Sequence, residues 1–550
     1  MKSKRNPHYP RIRLMTLICL LLSLMATTTA SASSSTSFAS VGPVSSDLTT
    51  PALIEQAFRN NQITADQRLL YLTYAVYDFA KLPPQFQGKG GWRGTMIVYE
   101  INQARQQLRE GKGQFSPALR EALLAPQPQA STFCEAQDGP YTISTEHFEI
   151  SYGSITALSV QDYADALELA YQVEIEEFGW AVPPLAPNNP FKRYPVQIAE
   201  LSYPLLGRAV SPAGKYTGFL GDNPNTPEVE TSSLASCIVL NSDFTKSFIG
   251  VDHNQLRQAV IATAAHEFFH IIQFGLGDPN PYEGAKWYEA TAAYVENEVI
   301  PEAHGNYSYL FPDLSYSVFS PQVGSDYSLW PLFRYAAERN GGLGQANGGS
   351  ELMKLMWKDI AAGIPAFTAY ENALKAKGSS FDHIYHNFAI SLRFLKSCTD
   401  AETFCFYDAN TIRNVRGMVN TVHGQIASVG GSYNGSMSNN YATNWVALPK
   451  SGAYSIELTN TSSTGALRAS VLAEVGDSLT VALLSSVAGP NATASIARFS
   501  VPSGATNVLL VITNEAQSSN INSPGAATYR VQLGTAADLD HLLYVPLSLR

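Results

Sequence analysis

The spacing of apolar residues changes twice along the chain. Residues 51–128 place apolar side chains three and four positions apart, as at Leu53 and Ala57, which predicts helices. The segment LPPQFQGKGG at 82–91 interrupts them, because proline and glycine disfavour helix interiors. The preceding stretch, residues 33–50, is rich in serine and threonine and lacks apolar periodicity, which predicts disorder.

From Tyr141 the pattern predicts strands first and helices afterwards. The segment HFEISY alternates apolar and polar residues as a strand does, and residues 160–180 carry the apolar stripe of an amphipathic helix. The Gly/Pro/Asn-rich stretch 204–231 is predicted to be a surface loop. This order of elements indicates an α+β domain. The predicted strands are 147–152, 194–201 and 236–241, and the predicted helices are 160–180, 254–274, 285–299, 328–340, 350–362 and 381–396.

Beyond Gly430 the chain consists of short apolar runs separated by Gly, Ser, Asn and Pro. Seven runs, from NWVALP at 444–449 to YRVQLG at 529–534, are rich in Val, Leu, Ile and Thr. Short strands at this spacing predict a β-sandwich over residues 430–536. The pattern gives no prediction for residues 537–550.

The first 32 residues have the composition of a secretory signal peptide. Basic residues precede an apolar run, Leu14 to Ala26, that is too short to span a bilayer comfortably, and Ala30-Ser31-Ala32 fits a cleavage site. We therefore expect a secreted protein whose mature chain begins near Ser33 and contains no transmembrane segment. A retained N-terminal anchor is the alternative.

These patterns divide the chain into five parts. The helical N-terminal region stands where a prosegment would stand, and a permanent helical subdomain is the alternative. The parts are a signal peptide at 1–32, a Ser/Thr-rich linker with the helical N-terminal region at 33–133, an α+β domain at 134–425, a β-sandwich at 430–536 and a tail at 537–550.

Composition and charge narrow the class of protein. With 45% hydrophobic and 15% charged residues the chain can bury sizeable cores. The formal net charge of −10 becomes −15, or 31 basic minus 46 acidic residues, without the five basic residues of the signal peptide. Nucleic-acid binding requires clustered Lys and Arg, so we do not expect this acidic chain to bind nucleic acid.

Four cysteines follow the predicted signal peptide, and an even number in an exported chain favours disulfides. Cys398 and Cys405 would close a short loop, which makes them the preferred pair. Cys134 and Cys237 would then pair by elimination. The spacing matches no zinc finger, and the alternative role for Cys134 is to cap a metal as an activation switch.

The strongest chemical signal is HEFFH at residues 266–270. His266 and His270 are one helical turn apart and project from the same face, close enough to share a metal. Glu267 leans towards the same edge, where it can act on a water without being a ligand. The flanking residues are apolar almost all round, which predicts a buried helix where unpaired imidazoles are costly. Two buried histidines with ordinary hydrogen bonds are the alternative.

A third ligand is expected because catalytic zinc usually has three protein ligands and one open position. Glu289, on the next predicted helix, is preferred, since the eighteen residues between it and His270 allow a turn and an antiparallel return. The small residues that follow it permit close helix packing. The rival ligands are Glu283 in the turn and Glu296 and Glu298 two turns further along.

HEFFH followed by WYEATAAY resembles the gluzincin superfamily of zinc metallopeptidases. The chain is also similar, over about residues 140–345, to a family of exported bacterial metalloproteases, through EHFEISYG, RYPVQIAEL and W-x-E-A-T-A. The resemblance implies a zincin-like catalytic domain with a C-terminal β-domain. It also implies Zn²⁺ held by His266, His270 and Glu289, with Glu267 as base. The G-x-M-E-N segment of the superfamily's aminopeptidases is not found in the chain, which favours endopeptidase action.

The sequence thus predicts a secreted zinc endopeptidase that acts on protein or peptide substrates. Glu267 would take a proton from zinc-activated water and pass it to the leaving amine. Tyr327 is the candidate donor to the oxyanion, with core packing as its alternative role, and His304 is a weaker candidate. The strand at 236–241 is a candidate sheet edge for substrate, although an ordinary strand is the simpler interpretation.

Two other functions fit the same residues. One is a surface or matrix-binding protein, in which the β-sandwich contacts a surface or polysaccharide and the zinc helix is vestigial. The other is a zinc hydrolase of non-protein substrates. A second metal site at His383 and His386, three apart on a predicted helix, is a further hypothesis. The oligomeric state and bound calcium are not predicted.

Overall fold

Helices and strands are both abundant in the computed structural model of this protein, which confirms the predicted α+β class. The predicted signal peptide, Cys134, Glu283, His304 and the tail at 537–550 lie outside the described residues. The structure describes residues 49–59, 61–88, 92, 94–125, 140–201, 205–211, 216–245, 252–277, 285–303, 314, 317–318, 326–341, 350–398, 404–416, 421–437, 440–484, 487–515 and 525–536.

Four helices make up the N-terminal region, as its periodicity predicts. Helix α2 begins with a capping box in which the Thr64 side chain accepts from Gln67 N and the Gln67 side chain accepts from Thr64 N. Helix α4 begins with Ser116 as N-cap and Pro117 in the first turn, where proline is tolerated. The four are α1 (Thr50–Arg59), α2 (Ala65–Tyr77), α3 (Thr95–Arg109) and α4 (Pro117–Leu124).

A five-stranded mixed sheet follows. Its order is β1-β2-β3-β7-β4, with β2, β3 and β7 parallel and with β1 and β4 antiparallel to their neighbours. Strands β5 and β6 form a separate hairpin. The strands are β1 (Tyr141–Ser144), β2 (Phe148–Tyr152), β3 (Tyr194–Ala199), β4 (Gly207–Val210), β5 (Gly218–Gly221), β6 (Ser233–Ala235) and β7 (Cys237–Asn241).

One expectation about this sheet is wrong, and for residues 236–241 the simpler interpretation, an ordinary strand, is confirmed. The predicted loop at 204–231 contains β4 and β5, which are four residues long and include glycines, so they carry too little periodicity to be recognised. The candidate edge strand at 236–241 is β7, which lies between β3 and β4. Among the described strands, β4 is the outermost on that side.

The sheet has a different helical layer on each face. Alternate residues of a strand point to opposite faces. In β7, Ile238 and Leu240 join the core that contains α6, whereas Cys237 and Val239 join the core of the N-terminal helices. The first layer consists of α5 (Val160–Tyr171), which continues as a π-helix over Gln172–Glu177, α6 (His253–Leu276) and α7 (Ala285–Val299).

In the described part of the chain, five further α-helices follow α7. Three of them match the helices predicted at 328–340, 350–362 and 381–396, and two were not predicted. They are α8 (Trp330–Gly341), α9 (Ser350–Ala361), α10 (Ala366–Ala376), α11 (Phe381–Phe394) and α12 (Ala409–Arg416).

The C-terminal region is a β-sandwich, and all seven predicted runs form strands. Its sheets, β13-β12-β15-β10-β8 and β14-β11-β16-β9, share one apolar core. The strands are β8 (Gly424–Gln425), β9 (Ser432–Met437), β10 (Thr443–Ala447), β11 (Ala453–Asn460), β12 (Ala466–Val475), β13 (Ser478–Leu483), β14 (Thr493–Ser500), β15 (Asn507–Glu515) and β16 (Ala527–Thr535).

The outer face of the first sandwich sheet packs on the helical layer. Trp445, Leu472, Leu509 and Val511 are buried in the same core as α6, α7 and α11. The described residues all belong to one compact unit, residues 46–550. Sandwich and helices therefore share a continuous interior.

One described helix, α6, is long and apolar enough to cross a membrane by length and composition. Within its most apolar window 89% of the residues are buried inside the protein. Such burial is typical of a core helix.

Candidate metal centre

Helix α6 holds the HEFFH motif in the middle of the protein. Asp252 caps its first turn in a capping box with Gln255, and no proline interrupts the following 24 residues. His266, Glu267 and His270 are each 0% exposed. The helix thus carries three polar side chains where their solvation by water is lost.

Helix α7 brings a carboxylate to the two imidazoles. Glu289 Oε2 lies 3.0 Å from His266 Nε2 and 3.3 Å from His270 Nε2, and the two nitrogens are 3.1 Å apart. The small buried residues Ala290 and Ala293 let α7 approach α6 closely. The three predicted ligands are therefore brought together, and among the described residues they form the one cluster that could hold a metal ion.

The hydrogen bonds of Gln273 settle which His270 nitrogen is free for a metal. Gln273 Nε2 donates to Tyr288 O at 3.1 Å and to Thr291 Oγ1 at 2.9 Å. Gln273 Oε1 therefore accepts from His270 Nδ1, 2.6 Å away. In a neutral imidazole this leaves Nε2 unprotonated, and its lone pair is directed at the other two ligand atoms.

The ligand atoms fit a small tetrahedral cation. Two atoms at ~2.0–2.1 Å from one tetrahedral ion are about 3.3 Å apart, and the observed separations are 3.0–3.3 Å. Burial favours the neutral acid of Glu289, but His270 and the hydrogen bonds with both rings outweigh it and hold the pKa of this carboxyl below its usual value. The His270 Nε2 lone pair, His266 Nε2 and a carboxylate oxygen of Glu289 thus converge on one point.

A second layer of side chains supports the ligands, and the sequence did not reveal it. Glu296 Oε2 lies 3.4 Å from His266 Nδ1, so this rival ligand is behind the imidazole rather than on the metal side. Glu296 follows Glu289 by seven positions on α7, and Gln273 follows His266 by seven positions on α6. A separation of seven residues is about two helical turns, so each of these residues lies on the same helix face as the ligand before it. That spacing is the signal that could have found them. Glu298, the other described rival, pairs instead with Arg334 at 3.8 Å.

Glu267 lies beside the ligands without contacting them in the described hydrogen bonds. Its Oε2 accepts from Thr95 Oγ1 at 2.5 Å, and its Oε1 is buried and has no hydrogen-bond partner among the described residues. The backbone of β4 passes close by, because a Cβ on Gly207 would be 3.1 Å from Glu267 Cγ and 2.6 Å from Thr263 Cγ2. Only glycine fits at that position. Thr95 has no sequence signal, since it comes from a region with no predicted role in the site.

The remaining predicted residues have different outcomes. The ring of Tyr327 lies 5.6 Å from that of His266, so Tyr327 is at the site. His386 is hydrogen-bonded to two hydroxyls rather than to a shared ligand with His383, so the hypothesis of a second metal site is wrong. Cys398 and Cys405 are disulfide-bonded, as predicted. Cys237 is also disulfide-bonded, and its predicted partner Cys134 is not among the described residues.

We compared the chain with protein-family models and with curated proteins. No protein-family model matches the chain, and no curated protein matches it either.

Proposed function

We propose that this protein is a secreted zinc endopeptidase of the gluzincin type. The observation that supports it best is the convergence of His266 Nε2, His270 Nε2 and Glu289 Oε2 within 3.3 Å, next to a carboxylate that is not itself a ligand. The order HEFFH and then WYEATAAY resembles that superfamily. We assign a zincin-like fold to the mixed sheet with α5, α6 and α7.

The donor set favours zinc over other cations. Two imidazole nitrogens and one carboxylate oxygen form the three-ligand arrangement of catalytic zinc sites. Calcium and magnesium prefer all-oxygen sites. When bound here, zinc supplies Lewis acidity, which acidifies water and polarises a carbonyl group.

The protein's own side chains would carry the proton transfers. Glu267 takes a proton from water at Oε1, the oxygen to which no described residue hydrogen-bonds, and returns it to the amine of the leaving peptide. Gln273 keeps the His270 proton on Nδ1 and its lone pair on Nε2. Tyr327, beside His266, donates a hydrogen bond to the oxygen that becomes negative in the transition state.

Export agrees with the cysteine chemistry. Disulfides persist in oxidising compartments, and Cys398–Cys405 is one. Secretion itself remains a proposal from the basic and apolar pattern of residues 1–32.

The test is metal content together with peptide hydrolysis. The chain from Ser33 onward should carry about one zinc ion after gel filtration and should cleave casein, an unstructured substrate, at a measurable basal rate. Chelation should abolish cleavage and added zinc should restore it. A chain without zinc would support the surface-binding alternative, and zinc with cleavage of non-protein esters alone would support the other hydrolase.

A further inference from the structure

Part of the N-terminal region lies along the edge of the central sheet, next to the metal centre. Leu206 N donates to Trp92 O at 3.0 Å, and Gly94 N donates to Gly207 O at 3.2 Å. These bonds lie on the outer side of β4 at Gly207, where a Cβ would be 3.1 Å from Glu267 Cγ. We call Trp92, Gly94, Thr95 and Met96 the occluding segment.

The occluding segment also binds both catalytic carboxylates. The Thr95 hydroxyl donates to Glu267 Oε2 at 2.5 Å and accepts from Ala209 N at 2.8 Å. Met96 N, in the first turn of α3, donates to Glu289 Oε1 at 3.3 Å. Thr95 is 0% exposed and Met96 is 4% exposed, so water does not separate these groups.

The proposed reaction is incompatible with this arrangement. An extended peptide binds a sheet edge through backbone hydrogen bonds, and here Trp92 and Gly94 already use that edge. The Thr95 hydroxyl donates a hydrogen bond to Glu267 Oε2, which stabilises the carboxylate and makes it a weaker base towards water. The two imidazoles and the base are 0% exposed and Glu289 is 3% exposed, so a substrate reaches them only after part of the surrounding structure moves.

We propose, on the basis of the proposed function, that the occluding segment is a built-in inhibitor that occupies the substrate's place on β4. Hydrolysis then requires the segment to leave the strand. Among the described residues, five hydrogen bonds attach the segment to Leu206, to β4 and to the two glutamates. Thr95 and Met96 begin α3, so release moves the first turn of α3 together with Trp92 and Gly94.

Two substitutions should loosen the segment while His266, His270, Glu289 and Glu267 themselves stay in the chain. Release removes the hydrogen bonds that the segment donates to Glu267 and Glu289. Thr95→Val keeps the side-chain shape and removes the hydroxyl. Gly94→Val adds a side chain whose Cβ would be 2.8 Å from Leu205 Cδ1 and 3.1 Å from Trp92 Cζ3, so either these side chains or the segment must shift. Gly153→Ala is the matched control, because its Cβ would be no closer than 3.9 Å to its nearest neighbour.

The experiment compares these chains, each from Ser33 onward and loaded with zinc. We expect kcat/KM for casein-derived peptides to rise on the order of tenfold in both variants. This increase corresponds to the loss of one hydrogen bond to a charged group. In Gly94→Val the amides of Leu206 and Ala209 should exchange hydrogen faster, because their acceptors Trp92 O and Thr95 Oγ1 have moved away. An added substrate peptide should slow that exchange again. Gly153→Ala should match the wild type in rate and exchange.

Failure of this inference and failure of the proposed function give different results. If zinc is bound and the two amides exchange faster, yet both variants hydrolyse peptides no faster than the wild type, the segment is a permanent wall and not an inhibitor. If the wild type and both variants bind no zinc, the peptidase assignment fails, and the inhibitory role fails with it.

Discussion

Helices α6 and α11 both carry histidines in apolar surroundings, but these histidines are satisfied in different ways. On α11, His386 is 2% exposed, and its ring nitrogens lie 2.8 Å from Thr513 Oγ1 and 2.8 Å from Ser470 Oγ. On α6, His266 and His270 face each other and a single carboxylate oxygen. Burial alone therefore does not distinguish a structural histidine from a metal ligand.

The partners distinguish the two sites. A hydroxyl can donate or accept, so Thr513 and Ser470 satisfy a neutral His386 completely and hold α11 against the sandwich. The Nε2 lone pair of His270 faces another imidazole nitrogen and a carboxylate, and a hydrogen bond cannot satisfy all three of these atoms. Converging acceptors indicate a cation, whereas paired donors and acceptors indicate packing.

The difference between the α6 and α11 histidines is tested most directly by replacing one histidine on each helix. In His270→Gln the zinc content should fall from about one ion per chain to none, because a ligand is lost. In His386→Gln it should stay unchanged. Plasma mass spectrometry after gel filtration measures the zinc, with circular dichroism as the folding check. Equal zinc content in two folded variants would remove the distinction.

Two buried glutamates, Glu267 and Glu174, allow the same comparison between a catalytic and a structural side chain to be made by peptide hydrolysis. Glu267→Gln should lower kcat by about 10²–10⁴, the usual contribution of a general base, with zinc retained. Glu174→Gln is the control, since burial raises the pKa of Glu174 well above its usual value and its carboxyl has no hydrogen-bond partner in the described part of the chain. The neutral acid and the amide are then alike, and activity should not change. Peptide hydrolysis rates decide, and an active Glu267→Gln chain would exclude Glu267 as base.

The amides that hold the histidines give a smaller effect. Gln273→Leu should weaken zinc binding about 10–100-fold, because the His270 tautomer and ring orientation are no longer fixed. Asn387, whose Nδ2 lies 3.0 Å from His383 Nε2 on α11, provides the matched variant Asn387→Leu, which should bind zinc as the wild type does. Competition with a chromophoric chelator measures both affinities. Similar losses in the two variants would show that Gln273 acts only through stability.

The smallest effect concerns pH. Burial, followed by Arg468 and His383, lowers the pKa of His386 from its usual value of about 6.5 to about 3. The unfolded chain thus binds a proton between these values that the folded chain does not, so stability falls as pH falls. From pH 8 to pH 5 the wild type should lose about 2 kcal/mol through this histidine, and His386→Gln should not.

Urea unfolding of both chains at the two pH values measures that difference. Groups common to the two chains, such as Glu515, cancel in the comparison. A difference in the free energy of unfolding that stays constant with pH would show that His386 titrates normally in the folded protein.

Sequence periodicity predicted most of the fold because strong patterns are local. The 3.6-residue period around HEFFH and the alternation in the C-terminal runs each correspond to an observed element. Strand β4 was missed because a four-residue strand next to glycines carries almost no period, and its position depends on pairing with β7. Helices α10 and α12 were missed for a related reason, since they are only 11 and 8 residues long.

The candidate site was predictable where its residues share one helix face or a short connection. His266, His270 and Glu289 satisfy that condition, and Gln273 and Glu296 satisfy it too but offer no familiar motif. Thr95 does not satisfy it. It contacts Glu267 across 172 positions of sequence, and neither composition nor spacing at Thr95 indicates which distant carboxylate it meets.

The shared interior of helices and sandwich has a consequence for synthesis of the chain. Leu509 and Val511 lie in β15, near the end of the chain, yet they complete the core that encloses α6 and α7. The ribosome must therefore release β15 before that core can close. Termination between α8 and β15 would leave His266, His270 and Glu289 in the chain but would remove Leu509 and Val511 from the core around α6 and α7.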